Sequence, residues 1–162
     1  MGFESMAVRG VNNHFGPRKT NAKFGGDLTG DGLIKKAVWQ FMYNDLPDAS
    51  TSKMEQVIPA NAKVISAYLE IITAFTSTST TTDLTVGLQD SAGSAIDDDG
   101  LLTAANASQT TIAVAGALIV GTGALVGATI GTTAGELAVI ASAADLLTGE
   151  ARVIVEYMLP AP

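Results

Sequence analysis

The densest group of side chains able to do chemistry is Asp97-Asp98-Asp99-Gly100, three adjacent carboxylates followed by a glycine. Carboxylate oxygens bind hard cations such as calcium when a loop turns them toward one point. Consecutive residues do not naturally converge, so the cluster reads as a solvated acidic loop, with calcium the only ion its oxygens would suit. A second run, Asp27-Leu28-Thr29-Gly30-Asp31-Gly32, follows the first half of a calcium loop, with oxygens at positions one, three and five and glycine at six. Its twelfth position should chelate and is Val38. A glycine-rich turn ahead of a strand accounts for the same residues. The one histidine, His14, has no second histidine or cysteine to join it, since the chain contains no cysteine. That excludes a thiolate zinc site, a cysteine nucleophile and a disulfide framework, and leaves His14 as a solvated or packing residue beside Phe15.

No GxSxG elbow, P-loop, HExxH or dinucleotide fingerprint occurs. Gly30-Asp31-Gly32 and Gly121-Thr122-Gly123 lack the third glycine and the strand-to-helix setting that phosphate binding needs. The expectation is a protein without catalytic residues, metal or cofactor.

The elements that would position any site are strands. Ala37, Trp39, Phe41 and Tyr43 alternate with Lys36, Val38, Gln40 and Met42, an aromatic and β-branched density that favours a pleated element with both faces substantially buried. Asn44-Asp45-Leu46-Pro47-Asp48 ends it, and 44–56 reads as a connecting loop. After a turn at Val57-Ile58-Pro59-Ala60-Asn61-Ala62 comes the strand Lys63–Thr73, with Ile65, Leu69 and Ile71 on one side and Ser66, Tyr68 and Glu70 on the other. The all-Ser/Thr run 76–82 is a loop before the strand Asp83–Leu88. Residues 89–108 read as irregular, with a helical turn near Asp97–Thr103. Strands are expected at 110–120, 124–130, Glu136–Ser142 and Ala151–Met158. Seven or eight strands with no long amphipathic helix is the profile of an all-β chain, an antiparallel β-sandwich or jelly roll. Residues 1–34 show no sustained period and scattered Phe3, Phe15 and Phe24, which predicts an extended N-terminal arm. The division is an arm at 1–36 and a β-sandwich body at 37–162.

Charge follows that division. Residues 1–63 hold eight basic and six acidic residues, and the remainder holds one basic and ten acidic, within a net charge of −7. Such a balance argues against nucleic acid, which demands clustered cations. The arm residues placed to grip a partner are Phe3, Arg9, Phe15, Arg18, Lys19, Lys23 and Phe24. The segment from Ile112 to Ile130 has 19 residues without a charge, long enough to span a membrane. Its glycines, β-branched residues and unflanked ends favour strands and a turn instead. Met1-Gly-Phe-Glu-Ser-Met shows no basic region followed by an apolar run, which predicts synthesis in the cytoplasm.

Two segments, V-I-P-A-N-A-K-V-I-S-A-Y-L-E-I at 57–71 and L-L-T-G-E-A-R-V-I-V-E-Y-M at 146–158, resemble virion structural proteins of tailed bacteriophages, in particular small β-rich proteins that decorate or cement the capsid. The resemblance implies a non-enzymatic protein on the capsid surface. Its implied partners are the major capsid protein and its own copies, as a homotrimer about a local threefold axis, with neither nucleic acid nor membrane. A tail or fibre component is the neighbouring alternative. A carbohydrate- or calcium-binding module, with Tyr68, Tyr157 or the 97–99 aspartates at its site, is the alternative of a different class.

Overall fold

The computed structural model describes residues 34–46, 51–142 and 144–159, so the arm and its seven candidate contacts lie outside the described residues. Among the described residues there are eight strands, β1 (Ile34–Met42), β2 (Thr51–Ile58), β3 (Lys63–Ser77), β4 (Leu84–Gln89), β5 (Ala95–Ala107), β6 (Leu118–Val120), β7 (Gly135–Ala141) and β8 (Leu146–Met158), with one short helix, α1 (Gln109–Ile112). They form two four-stranded antiparallel sheets, ordered β1-β8-β3-β6 and β2-β7-β4-β5. First therefore pairs with last, second with seventh, third with sixth and fourth with fifth. This is one long hairpin rolled over on itself, the strand order of an eight-stranded jelly roll. The expected antiparallel sandwich is met.

The core lies between the sheets and is built by alternation. Ala37, Trp39 and Phe41 of β1, Ala151, Val153 and Val155 of β8, and Ala67, Leu69 and Ile71 of β3 point inward from the first sheet. Val86 and Leu88 of β4 and Leu137 and Val139 of β7 meet them from the second. Trp39 and Phe41 sit 5.3 Å apart between ring centres, and Phe41 lies over Phe75 at 6.0 Å. Such offset ring pairs add modestly to the area that they bury. Gly149, at φ 133°, lies directly under Phe75, whose ring atom Cδ1 would be 2.0 Å from any added Cβ.

Several local expectations are corrected. The outward face of β1 is exposed at Val38, Gln40 and Met42, because an antiparallel sheet needs cover on one side only. Strand β3 changes phase: Val64 is buried, Ile65 is not, and the register slips between Val64 and Ser66. A bulge of this kind takes up one extra residue, so the inward side is Val64 before it and Ala67, Leu69 and Ile71 after it, with Leu69 and Ile71 as expected. Residues 51–58, expected in a loop, form β2, paired with β7. Residues 95–107, expected irregular, form β5, whose ladder with β4 is broken by insertions: Val86 opposes Leu102 and Leu88 opposes Asp97.

The two strands expected at 110–120 and 124–130 become α1, the short β6, and a turn-rich stretch from 121 to 130. That stretch closes one side of the sandwich. Gly121 and Gly127 donate backbone N–H groups to the carbonyls of Ala67 and Val64 at 2.8 and 3.0 Å, while Gly123 and Leu125 donate to Leu101 and Gly100 at 3.2 and 2.8 Å. Asn106 adds a clamp, its side-chain oxygen accepting the backbone N–H groups of Thr103 and Thr122. No helix among the described residues is long and apolar enough to cross a membrane. The turn ahead of β3 is as expected, with Ala62 N–H donating to Pro59 at 3.1 Å and Asn61 at φ 59°, a left-handed conformation that Asn tolerates.

Candidate interaction face

The structure places the Asp97–Asp99 cluster, Tyr68 and Tyr157. Asp97, Asp98 and Asp99 run along β5 where it bulges over β4, and among the described residues no three acidic or histidine side chains group as a metal site. Gln89 Nε2 donates to Asp98 at 3.0 Å. Burial, reinforced by a hydrogen bond with Asp99, pushes the Asp97 carboxyl above its ordinary range. Tyr68 and Tyr157 do not share a site. Tyr157 packs against the core, whereas Tyr68 stands on the opposite face of the same sheet, between the inward-pointing Ala67 and Leu69. His14 and the Asp27–Gly32 run lie outside the described residues.

The two sheets present unlike outer faces. On the second sheet, Val86 and Leu88 point inward, so Gly87 points out. A Cβ there would lie 2.0 Å from the Asp97 carbonyl oxygen and 2.3 Å from Asp98 C, so the backbone of β5 crosses directly over this position. Ala138, paired with Gly87, is fully buried without belonging to the core cluster. The chain has covered this part of the face with itself.

The first sheet's outer face keeps its side chains. Val38, Ile154, Tyr68 and Val120 stand opposite one another, one from each strand, and form an apolar row across the sheet. On one side runs the row Lys36, Glu156 and Ser66; on the other runs Gln40, Arg152, Glu70 and Leu118. Lys36 Nζ meets Glu156 at 2.9 Å, and Ser66 Oγ donates to the other oxygen of Glu156 at 2.8 Å. These partners hold the Glu156 carboxyl below its usual range, Lys36 contributing most, and Glu156 in turn raises Lys36. Arg152 lies 3.6 Å from Glu70. At the end of the sheet Leu118 and Val120 are 59% and 56% exposed. Sequence reasoning named Tyr68 but missed this row, because its members come from four separate segments and meet only through strand order.

The sandwich superposes on a chain of the capsid of Ralstonia phage GP4 with a TM-score of 0.57 at 19% identity, covering 84% of this chain and 89% of that one. At that identity the likeness is one of fold. Chains from the acidic stable capsid structure of Helicobacter pylori bacteriophage KHP30 (TM-score 0.48, 16% identity, 80% of this chain and 90% of that) and from the cyanophage Pam1 capsid asymmetric unit (0.45, 22%, 95% and 99%) match more loosely. No protein-family model matches the chain, and no curated protein matches it by sequence. The resemblance to phage virion proteins, read from 57–71 and 146–158, is met at the level of the fold. Those two segments contain most of β3 and all of β8, which pair at the centre of the first sheet.

Proposed function

We propose that the protein is a non-enzymatic phage virion component, a decoration or cement protein that binds the outer capsid shell as a homo-oligomer and stabilises the head. The observation that supports this most is the fold shared with a chain of the Ralstonia phage GP4 capsid over nearly the whole of both chains. Two sheets closed over one core suit a protein that works through its surfaces. Synthesis would take place in the host cytoplasm and function on the capsid surface. Its partners would be the major capsid protein and its own copies, gathered about a threefold axis by the resemblance. Residues 1–36 act in this reading as a clamp, with Phe3, Phe15 and Phe24 as apolar anchors and Arg9, Arg18, Lys19 and Lys23 as cations. Many weak contacts on a repeating shell sum to tight attachment, because each bound module raises the effective concentration of the next contact.

The test is deletion of residues 1–33, which stops short of β1 and so leaves the whole sandwich. The shortened protein is expected to melt as the full chain does and to be lost from shells in a co-sedimentation assay. Undiminished occupancy on shells removes the clamp.

A further inference from the structure

We infer that the outer face of the β1-β8-β3-β6 sheet is where two copies of this chain meet, related by a twofold axis along the apolar row. The inference rests on the homo-oligomer part of the reading above and replaces its threefold arrangement with a twofold one, while its geometry stands without the virion role.

Charge selects the face. Residues 34–162 carry five basic and thirteen acidic side chains, so two copies repel across most of their surface. The three rows described above carry Lys36 and Arg152 against Glu70 and Glu156, a balance of zero. Those charges are already paired within the chain, at 2.9 Å for Lys36 with Glu156 and 3.6 Å for Arg152 with Glu70. Between them lie Ile154 and Tyr68, with Val120 at the sheet's end. An apolar centre that includes an aromatic, rimmed by satisfied polar groups, is the usual anatomy of a protein interface.

Symmetry then selects the occupant. Rotation by half a turn about the row lays the apolar row on itself and places each flanking row on the other. Lys36 then faces Gln40 of the second copy, Glu156 faces its Arg152, and Ser66 faces its Glu70. Every juxtaposition is a cation with an amide, an anion with a cation, or a hydroxyl with an anion. The face is thus self-complementary in the way an isologous contact requires. Its extent is small. Three rows take about five residues along strands about 4.8 Å apart, on the order of 300 Å² per copy. Two copies therefore stay below the roughly 1,000 Å² at which specific interfaces begin, so pairing is weak and concentration-dependent.

The test is sedimentation of the full-length protein over a concentration series, with three variants whose folding is first checked by thermal melting. The wild type is expected to shift from monomer to dimer as concentration rises, and Ile154→Lys to remain monomeric. Arg152→Glu sets a new carboxylate against Glu156 of the second copy, and Glu156→Arg sets a new guanidinium against its Arg152, so each alone should weaken pairing by about tenfold or more. Mixed in equal amounts, the two should pair with each other. One variant then presents carboxylates at both positions, and each meets a guanidinium of the other. Damage within a single chain cannot be repaired by mixing, so this arm reads the contact between copies. A wild type that stays monomeric at every concentration, a trimer, or a mixture no better than its components overturns the inference. A face that becomes shielded only when shells are added assigns it to the shell protein instead. The clamp assay uses shells and the pairing assay does not, so failure of one leaves the other standing.

Discussion

The two sheets of this sandwich solve the same problem in opposite ways. Each is apolar inside and needs an outer face that water or a partner can accept. The β2-β7-β4-β5 sheet covers part of its face with its own chain. It gives up side chains there, Gly87 beside Ala138, and runs the backbone of Asp97 and Asp98 across the gap. The β1-β8-β3-β6 sheet keeps full side chains and neutralises its charges in place, leaving Ile154 and Tyr68 in a band between ion pairs. Self-cover concentrates three carboxylates on a bulge. Among the described residues the other face, whose β3–β8 ladder also slips in register, keeps its apolar row available to another molecule. A covered face tolerates no added atom, whereas an uncovered one tolerates most substitutions until a second copy arrives.

The sharpest way to break this comparison is at Gly87. Gly87→Val would push atoms into the backbone of Asp97 and Asp98, which cannot rotate away as a side chain could. The expected loss is at least about 3 kcal/mol, read as a fall in the urea midpoint. Tyr68→Ser at the matching position of the other sheet should cost far less in dilute solution, because part of that side chain already meets water. Equal losses at the two sites would mean that the faces do not differ as described.

Much of this contrast was hidden in the sequence for identifiable reasons. The inward sets Ala37-Trp39-Phe41 and Ala151-Val153-Val155 were legible, since uninterrupted alternation is a direct imprint of the pleat. Strand β5 was not, because its insertions break alternation and Asp-Asp-Asp-Gly has the composition of a loop. Strand β2 was missed because Thr51-Ser52-Lys53-Met54-Glu55-Gln56 has one apolar residue and no alternation, and follows a segment with turn-forming Asn, Asp and Pro. Apolar alternation at 112–120 misled over most of its length, since Ile112 is buried by α1 and only Leu118–Val120, which buries Ile119, is strand. The bulge at Ile65 exchanged Val64 for Ile65 on the inward side of β3, while Leu69 and Ile71 stayed inward, without leaving a mark in composition. The row through Ile154 and Tyr68 depends on which strands become neighbours, and no single segment encodes that.

The covered face can also be sharpened through its charge. Asp97 is held above the ordinary carboxyl range by burial first and by its bond to Asp99 second. A raised folded value means that, between the unfolded value near ~3.9 and the folded one, the native state binds more protons, so stability falls as pH rises through that window. At neutral pH the ionised carboxylate is thus a burden that Asp97→Asn relieves, and the new amide can still donate to Asp99. The expected gain is about half a kcal/mol or less, because water still reaches the site. It should shrink as pH falls toward the unfolded value and vanish below it, where wild type and variant both carry a neutral side chain. A gain that persists unchanged at low pH would point to a cause other than ionisation.

The smallest effect belongs to the uncovered face, and its sign is opposite. Lys36 and then Ser66 hold the Glu156 carboxyl below its usual range, so this group contributes stability above its unfolded value of about 4.3 and loses it as pH falls through the folded one. Glu156→Gln should therefore lower the melting temperature slightly at neutral pH, by less than about 1 °C, and the difference should close under acid conditions and in high salt. Measured in parallel, the two variants make the comparison quantitative. On the face that the chain covers, removing a charge stabilises, because that charge is held partly out of water beside another carboxyl. On the face it leaves open, removing a charge destabilises, because that charge already has its partner. If Glu156→Gln proved the larger of the two, or moved stability upward, the neutral rim around Ile154 and Tyr68 would lose its physical basis, and with it the reason for a second acidic copy to settle there.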